Sequence, residues 1–187
     1  MKVFDTLPTI YAVVLHPLCI DDADEIFQAI DSHREYLSAW LPFVPLMGKV
    51  SDIEDYIRFV ADEKNLSDCV FTIREGSCFI GLVGLKNIEP SNHRAEIGYW
   101  MLPEYGGRGI MTCSVYHLIE WAINVLDINR FQICCGVANY SSNAIPLRLG
   151  FVHEGVQRDA ELLASGQYHD VNQYSLLRRE FHEMKDV

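Results

Sequence analysis

From Tyr99 to Cys113 the chain reads YWMLPEYGGRGIMTC. An aromatic, strand-like stretch runs into Pro103, Gly106, Gly107 and Gly109 follow almost at once, and a helical pattern starts directly behind them. Val115, Leu118, Ile119, Ala122, Ile123 and Leu126 recur at spacings of three and four, which predicts an α-helix with one apolar face. The first turn of a helix leaves backbone N–H groups unpaired and carries partial positive charge. Bare glycine backbone at that point lets an anion approach closely, above all a phosphate; a plain tight turn would also use Gly106 and Gly107. Two phosphate motifs are excluded. No Gly-Lys is followed by Ser or Thr, so there is no P-loop, and Ile110, Met111 and Thr112 after Gly109 leave no third glycine for a dinucleotide fingerprint.

The flanking sequence supplies a sheet for this unit. Ile10 to Leu18 alternates weakly, as a first strand would. Asp22 with Glu25, and Ser51 with Glu54, have the spacing of capping boxes and predict two helices, separated by a loop at Pro42 and Pro45. Two β-rich runs flank Glu75-Gly76 and predict a hairpin. AEIGYWML is a further strand, RFQICCGVA a buried one, and Asn139 to Asn143 a turn into a short helix capped by Gly150. Strand-like residues fill the tail. The expected order is strand, two helices, three strands, helix, strand, helix, two strands: an α/β (α+β) chain with a mixed sheet and helices on both faces. With 187 residues, no repeats and no linker, one domain over residues 1–187 is expected.

Composition removes several functions. Apolar residues make up 49% and charged ones 22%, a globular mixture. No apolar run approaches the roughly 18 residues of a membrane span, and the first residues show no leader pattern, so a cytoplasmic protein is expected. Six cysteines include no C-x-x-C pair and read as reduced, buried thiols. Seven histidines include no H-E-x-x-H, so no metal site is expected. A net charge of −11 argues against nucleic acid and permits a cationic substrate.

EYGGRGIM resembles the Q/R-x-x-G-x-G/A motif of the GNAT superfamily of N-acetyltransferases, with Gly107 and Gly109 at the glycine positions and Glu104 where Gln or Arg is usual. AEIGYWM is similar to the strand before that loop. NYSSNAIPLRLGFVHEG resembles the N-x-x-S…G-F-x-x-E-G block of one branch. RDAELLASGQYHDVNQYSLL is similar to the same branch, the RimL/RimJ-like ribosomal-protein N-terminal acetyltransferases. The resemblance runs from about Phe71 to Arg179 and is looser in the N-terminal third. It implies a central, mostly antiparallel sheet of about seven strands, splayed at a cofactor cleft. It also implies acetyl transfer from acetyl-CoA to an amine without metal, the acceptor being a protein N-terminus. Members of the family often dimerise, and no residue here decides that point.

The resemblance also assigns roles. Backbone N–H groups of Gly107, Arg108, Gly109, Ile110 and Met111 would hold the coenzyme's pyrophosphate, with Arg108 adding charge. The pantetheine arm would pair beside Met101 and Leu102, with the thioester carbonyl against a backbone N–H near Trp100. Asn143 and Asn139 would contact the arm. Pro146 stands where many GNATs carry an acidic Tyr; in the RimL-like branch a serine and a glutamate serve, matched by Ser142 and Glu161. Ser142 also reads as a helix N-cap, and Glu161 as a solvated carboxylate.

Amine chemistry favours an α-amine. With a pKa of about 7.7–8.0 it costs about 1 kcal/mol to deprotonate at pH 7, against about 4.6 for a lysine near 10.4. A polyamine or aminoglycoside acceptor, which the acidic balance suits, and a non-catalytic acyl-CoA-binding module stay open at this point.

Overall fold

The computed structural model describes residues 6–8, 13–62 and 64–185. The start of the chain, on which the leader expectation rests, and Ile10 to Ala12 of the first predicted strand lie largely outside them.

Strands β1 (Leu7–Pro8), β2 (Val13–Pro17), β3 (Cys69–Glu75), β4 (Cys78–Glu89), β5 (Arg94–Met101), β6 (Arg130–Gly136), β7 (Val152–Leu162) and β8 (Tyr168–Leu177) form one sheet in the order β1-β2-β3-β4-β5-β6-β8-β7. Seven are full strands; β1 adds a two-residue edge. β3 and β4 turn through Gly76 and Ser77, with Glu75 opposite Cys78, as the hairpin signal implies. Among the described residues every pairing is antiparallel except β5 with β6.

That parallel pair positions the site. β5 and β6 pair only from Arg94 opposite Arg130 to Ile97 opposite Ile133. Beyond this β5 stays with β4 as far as Met101, and β6 stays with β8 as far as Gly136. The sheet therefore opens into a V between the ends of β5 and β6.

Helices cover both faces. On one face lie α1 (Ala23–Ser32) and α3 (Val50–Ala61). Their buried residues, Ala23, Ile26 and Ile30, then Ile53, Ile57 and Val60, keep helical spacing and pack with Phe79, Leu82, Trp100 and Leu102. On the other face α4 (Ile110–Leu126) sets Val115, Leu118, Ile119 and Ala122 against Val83, Ile97, Phe131 and Ile133. Truncating such a core residue to Ala costs about 2–5 kcal/mol.

Several local expectations change. The first predicted helix breaks at His33 (φ −127°) into α1 and a short α2 (Arg34–Ser38). Asp22 and Glu25 form no capping box. Asp22 accepts the Cys19 N–H, Glu25 accepts the Phe79 N–H, and both carboxylates hold Arg74 at 2.7 and 2.8 Å. Asp52, not Glu54, accepts the Gly48 and Lys49 N–H groups ahead of α3. The short helix is α5 (Tyr140–Arg148), followed by Gly150 at φ 70°. After the two tail strands comes a helix the sequence reading did not include, α6 (Arg178–Lys185), anchored by the buried Phe181 with its ring centroid 4.9 Å from that of Tyr116.

Candidate active site

The V opens into a cleft of about 800 Å³. Its walls come from Tyr99 to Leu102, from the glycine loop and first turn of α4, from the start of α5, and from Tyr36, Leu37, Trp40 and Leu41. Phe43, close to Trp40 in the chain, is not among these walls and packs, partly buried, against the core under α1 and α3.

Gly107 and Gly109 have φ of 74° and 76°, the left-handed region that side chains resist. Nothing lies within 4 Å of where a Cβ would sit on either, so they are bare for backbone geometry and for whatever the cleft holds. The first N–H bonded inside the helix is that of Cys113, on the Gly109 carbonyl at 3.0 Å. Those of Ile110, Met111 and Thr112 precede the hydrogen-bond ladder and lie at the cleft's edge, a geometry that suits an anion. The Arg108 side chain turns away. It pairs with Glu75 at 2.5 Å and lies over the Tyr105 ring, so its charge is spent on the β3–β4 hairpin and only its backbone stays with the loop. Glu104 takes His33 at 3.5 Å, tying the α1–α2 break to the loop.

Trp100, Met101 and Leu102 line the cleft as expected. β5 beyond Ile97 has no β6 partner, so it offers a strand edge to an amide-bearing ligand. Leu102 offers none of its own backbone: its N–H donates to Ile80 and its carbonyl accepts from Tyr105.

At the floor stands a polar cluster. Asn139, not Ser142, caps α5, its Oδ1 accepting the Ser142 N–H at 3.2 Å. The Ser142 hydroxyl is thereby free to point inward, 3.2 Å from Cys135 Sγ and 3.4 Å from the Tyr99 hydroxyl. Tyr99 donates to the Ser142 carbonyl at 3.0 Å. Burial pushes the Tyr99 phenol well above its ordinary range, and burial likewise raises the Cys135 thiol, so both keep their protons. The arrangement brings two hydroxyls and a protonated thiol together. Tyr99 and Cys135 carried no signal as site residues. Strand alternation, which sets Tyr99 opposite Trp100, was the available clue.

Asn139 lines the cleft, whereas Asn143, which the resemblance sets at the coenzyme arm, is not among the residues of its wall. It is buried; its amide donates to the Gly136 and Asn139 carbonyls, and its Oδ1 accepts from Asn172 and Tyr174, each at 2.8 Å. All its bonding capacity goes into locking α5 to β6 and β8.

Glu161 lies on β7, outside the cleft wall, with its Oε2 2.9 Å from His169 Nε2. His169 packs on Trp40, which does line the cleft, with ring centroids 6.5 Å apart. The structure therefore unites Ser142 with the glycine loop directly, and Glu161 only through His169. Among the described residues no group of three or more His, Cys, Asp or Glu side chains could hold a metal ion, and no helix is long and apolar enough to cross a membrane.

Comparison with known proteins agrees with this geometry. The family model of the Acetyltransferase (GNAT) domain matches residues 12–152. YdaF of Bacillus subtilis (strain 168), provisionally named a ribosomal N-acetyltransferase, is 36% identical over 165 residues, 86% of this chain and 88% of its own. The ribosomal-protein-serine acetyltransferase of Escherichia coli (strain K12) is 28% identical over 173 residues, 91% of this chain and 96% of its own. A solved RimL, a ribosomal L7/L12 α-N-protein acetyltransferase in complex with coenzyme A, superimposes with a TM-score of 0.88 at 27% identity, covering 94% of this chain and 99% of that one. A mostly antiparallel sheet parting between its one parallel pair, a bare glycine loop on α4 and the match over residues 12–152 all lead to one assignment: the chain belongs to the GNAT acetyltransferase family.

Proposed function

We propose that the chain transfers the acetyl group of acetyl-CoA to the N-terminal α-amine of a protein, of the ribosomal class on which its relatives are named to act. The observation that carries the reading is the cleft between β5 and β6. It joins a helix N-terminus fit for the pyrophosphate, an unpaired strand edge fit for the pantetheine amides, and the Ser142 hydroxyl at the end where the thioester would lie. Gly107, Gly109, Ile110 and Met111 hold the phosphates, with the Arg108 backbone. Trp100 and Met101 line the arm, a backbone N–H near Trp100 stabilises the oxyanion, and Ser142 supplies a proton to the departing sulfur. Glu161 supplies the basicity that frees the amine. No metal is used.

The apolar wall of Leu37, Trp40 and Leu41 suits a short peptide end, and the modest cost of neutralising an α-amine suits a single carboxylate as base. Six free thiols fit the reducing cytoplasm. The test adds enzyme and isotopically labelled acetyl-CoA to a cell lysate and reads protein N-termini by mass spectrometry. Label on the α-amines of one or a few ribosomal proteins supports the reading; label confined to polyamines or lysine side chains refutes it.

A further inference from the structure

Glu161 does not stand alone. From the cleft outward the order of contacts is Trp40, then His169, then Glu161. His169 is also the more buried partner, with 17% of its side chain exposed against 42% for Glu161. The ring sits on bare backbone: a Cβ on Gly136 would lie 2.6 Å from its Cε1 and 2.9 Å from its Nδ1. Gly136 ends β6 at the parted edge of the sheet, next to Cys135, which touches Ser142. The imidazole's Cε1–Nδ1 edge thus lies over Gly136, at the end of the strand whose other edge borders the gap. With Nε2–H donated to Glu161, Nδ1 carries the lone pair, and no group among the described residues pairs with it.

We propose that His169 is the residue that meets the acceptor amine, as a general base oriented by Glu161, with Gly136 and Trp40 forming its seat. The inference rests on the acetyl-transfer reading and refines where Glu161 acts. The ammonium proton passes to Nδ1 while Nε2–H stays on the Glu161 carboxylate, and the freed nitrogen lone pair bonds to the thioester carbon. The C–S bond breaks with its electron pair going to the coenzyme's sulfur, which takes the second amine proton by way of Ser142. Amide, free thiol and one proton on the imidazole balance the step. Fixing an imidazole's tautomer with a carboxylate is the established way to give its other nitrogen a defined lone pair. The charges around the pair come from neighbouring strands. Lys86 of β4 and Cys134 of β6 both feel Glu161, and Glu96 of β5 holds Lys86 at 2.9 Å.

The experiment measures kcat at saturating acetyl-CoA on a Ser-starting peptide, at pH 7 and pH 9, for wild type, His169→Gln, Glu161→Gln, the double variant and Gly136→Ala. Coenzyme A calorimetry on each reports an intact cleft. His169→Gln is expected to lose about 10²–10⁴-fold at pH 7. Glu161→Gln should lose less, and the double variant no more than His169→Gln, as for residues acting as one unit. Gly136→Ala, which alters neither group but pushes the ring, should lose at least about tenfold. The His169→Gln loss should shrink at pH 9, where an α-amine of pKa about 7.7–8.0 arrives already neutral; a purely structural loss would not change with pH. A His169→Gln enzyme that keeps its rate while Glu161→Gln is dead would overturn the proposal and leave Glu161 as the direct base. Should wild type act on spermidine alone, the same rates read on spermidine judge the pair while the peptide reading falls. A wild type that acetylates neither overturns both.

Discussion

The Tyr99 hydroxyl donates to the Ser142 carbonyl at 3.0 Å across the gap where β5 and β6 have parted. One phenol thus braces the first turn of α5 against β5 at the floor of the cleft, and sets the distance between the strand edge and the Ser142 hydroxyl. Tyr99→Phe removes the bond to the Ser142 carbonyl together with the contacts to the Ser142 hydroxyl and the Cys135 thiol. The expected result is a fall in kcat of about tenfold, the equivalent of about 1.4 kcal/mol, with the KM for acetyl-CoA little changed. A steady-state comparison checks it; an unaltered kcat would show that Ser142 holds its place without the brace.

Ser142→Ala should cost about 10²-fold in kcat with acetyl-CoA, as loss of a proton donor does. The loss should narrow with an acetyl thioester of a more acidic thiol, whose thiolate leaves without help. Equal losses on both thioesters would mean that Ser142 serves binding or shape and not departure of sulfur.

Gly107→Val and Gly109→Val should each weaken coenzyme A binding at least about tenfold, because both positions need φ above +70° and an approach free of side chains. Arg108→Ala should change affinity by less than about threefold, since its guanidinium is engaged by Glu75 at the surface. Calorimetry on folded variants decides both. Unchanged affinity in the valine variants would remove the loop from the binding site.

Away from the cleft, Arg130 holds the Glu154 carboxyl down to about 2, with Ser175 and Gln173 as further hydrogen-bond donors. A carboxylate whose folded pKa lies below its unfolded value of about 4.3 stabilises the fold above that value, and the contribution is lost as pH falls toward 2. Glu154→Gln should therefore lower Tm at pH 7 by about 2–4 °C, as about 1 kcal/mol does in a chain of this size, and make little difference near pH 2. A Tm gap that persists unchanged at low pH would place the cause in packing and not in charge.

Periodicity and turn chemistry made most of the sheet and helix order legible. The run from Val115 to Leu126 and the Gly76 turn are local signals with no competing demand. The spacing of Asp22 and Glu25 misleads because Arg74, distant in sequence, claims both, and a local pattern carries no trace of a long-range ion pair. α6 was hidden because RREFHEMK has a single strong apolar anchor, Phe181, whose partner Tyr116 lies on α4. At the site, the left-handed glycines of the loop are readable because motif and backbone need coincide. Asn143 is of a type that suits either a ligand contact or a buried clamp, and its bonds to Asn172 and Tyr174, brought in by β8, leave no trace in the local sequence. His169 escaped notice for the same reason: its meaning depends on Glu161, Gly136 and Trp40, which three different segments deliver.

The identity of the acceptor is tested most directly by kcat/KM for three amines with acetyl-CoA, at about 50 and about 300 mM salt. The amines are a Ser-starting peptide carrying an internal lysine, the same peptide with its α-amine blocked, and spermidine. The expected result is turnover of the free peptide at its α-amine, little or none of the blocked one, and a modest loss at high salt, because a single amine end is held mainly by the apolar wall around Trp40. Turnover of spermidine with neither peptide acetylated, falling steeply as salt rises, would contradict it.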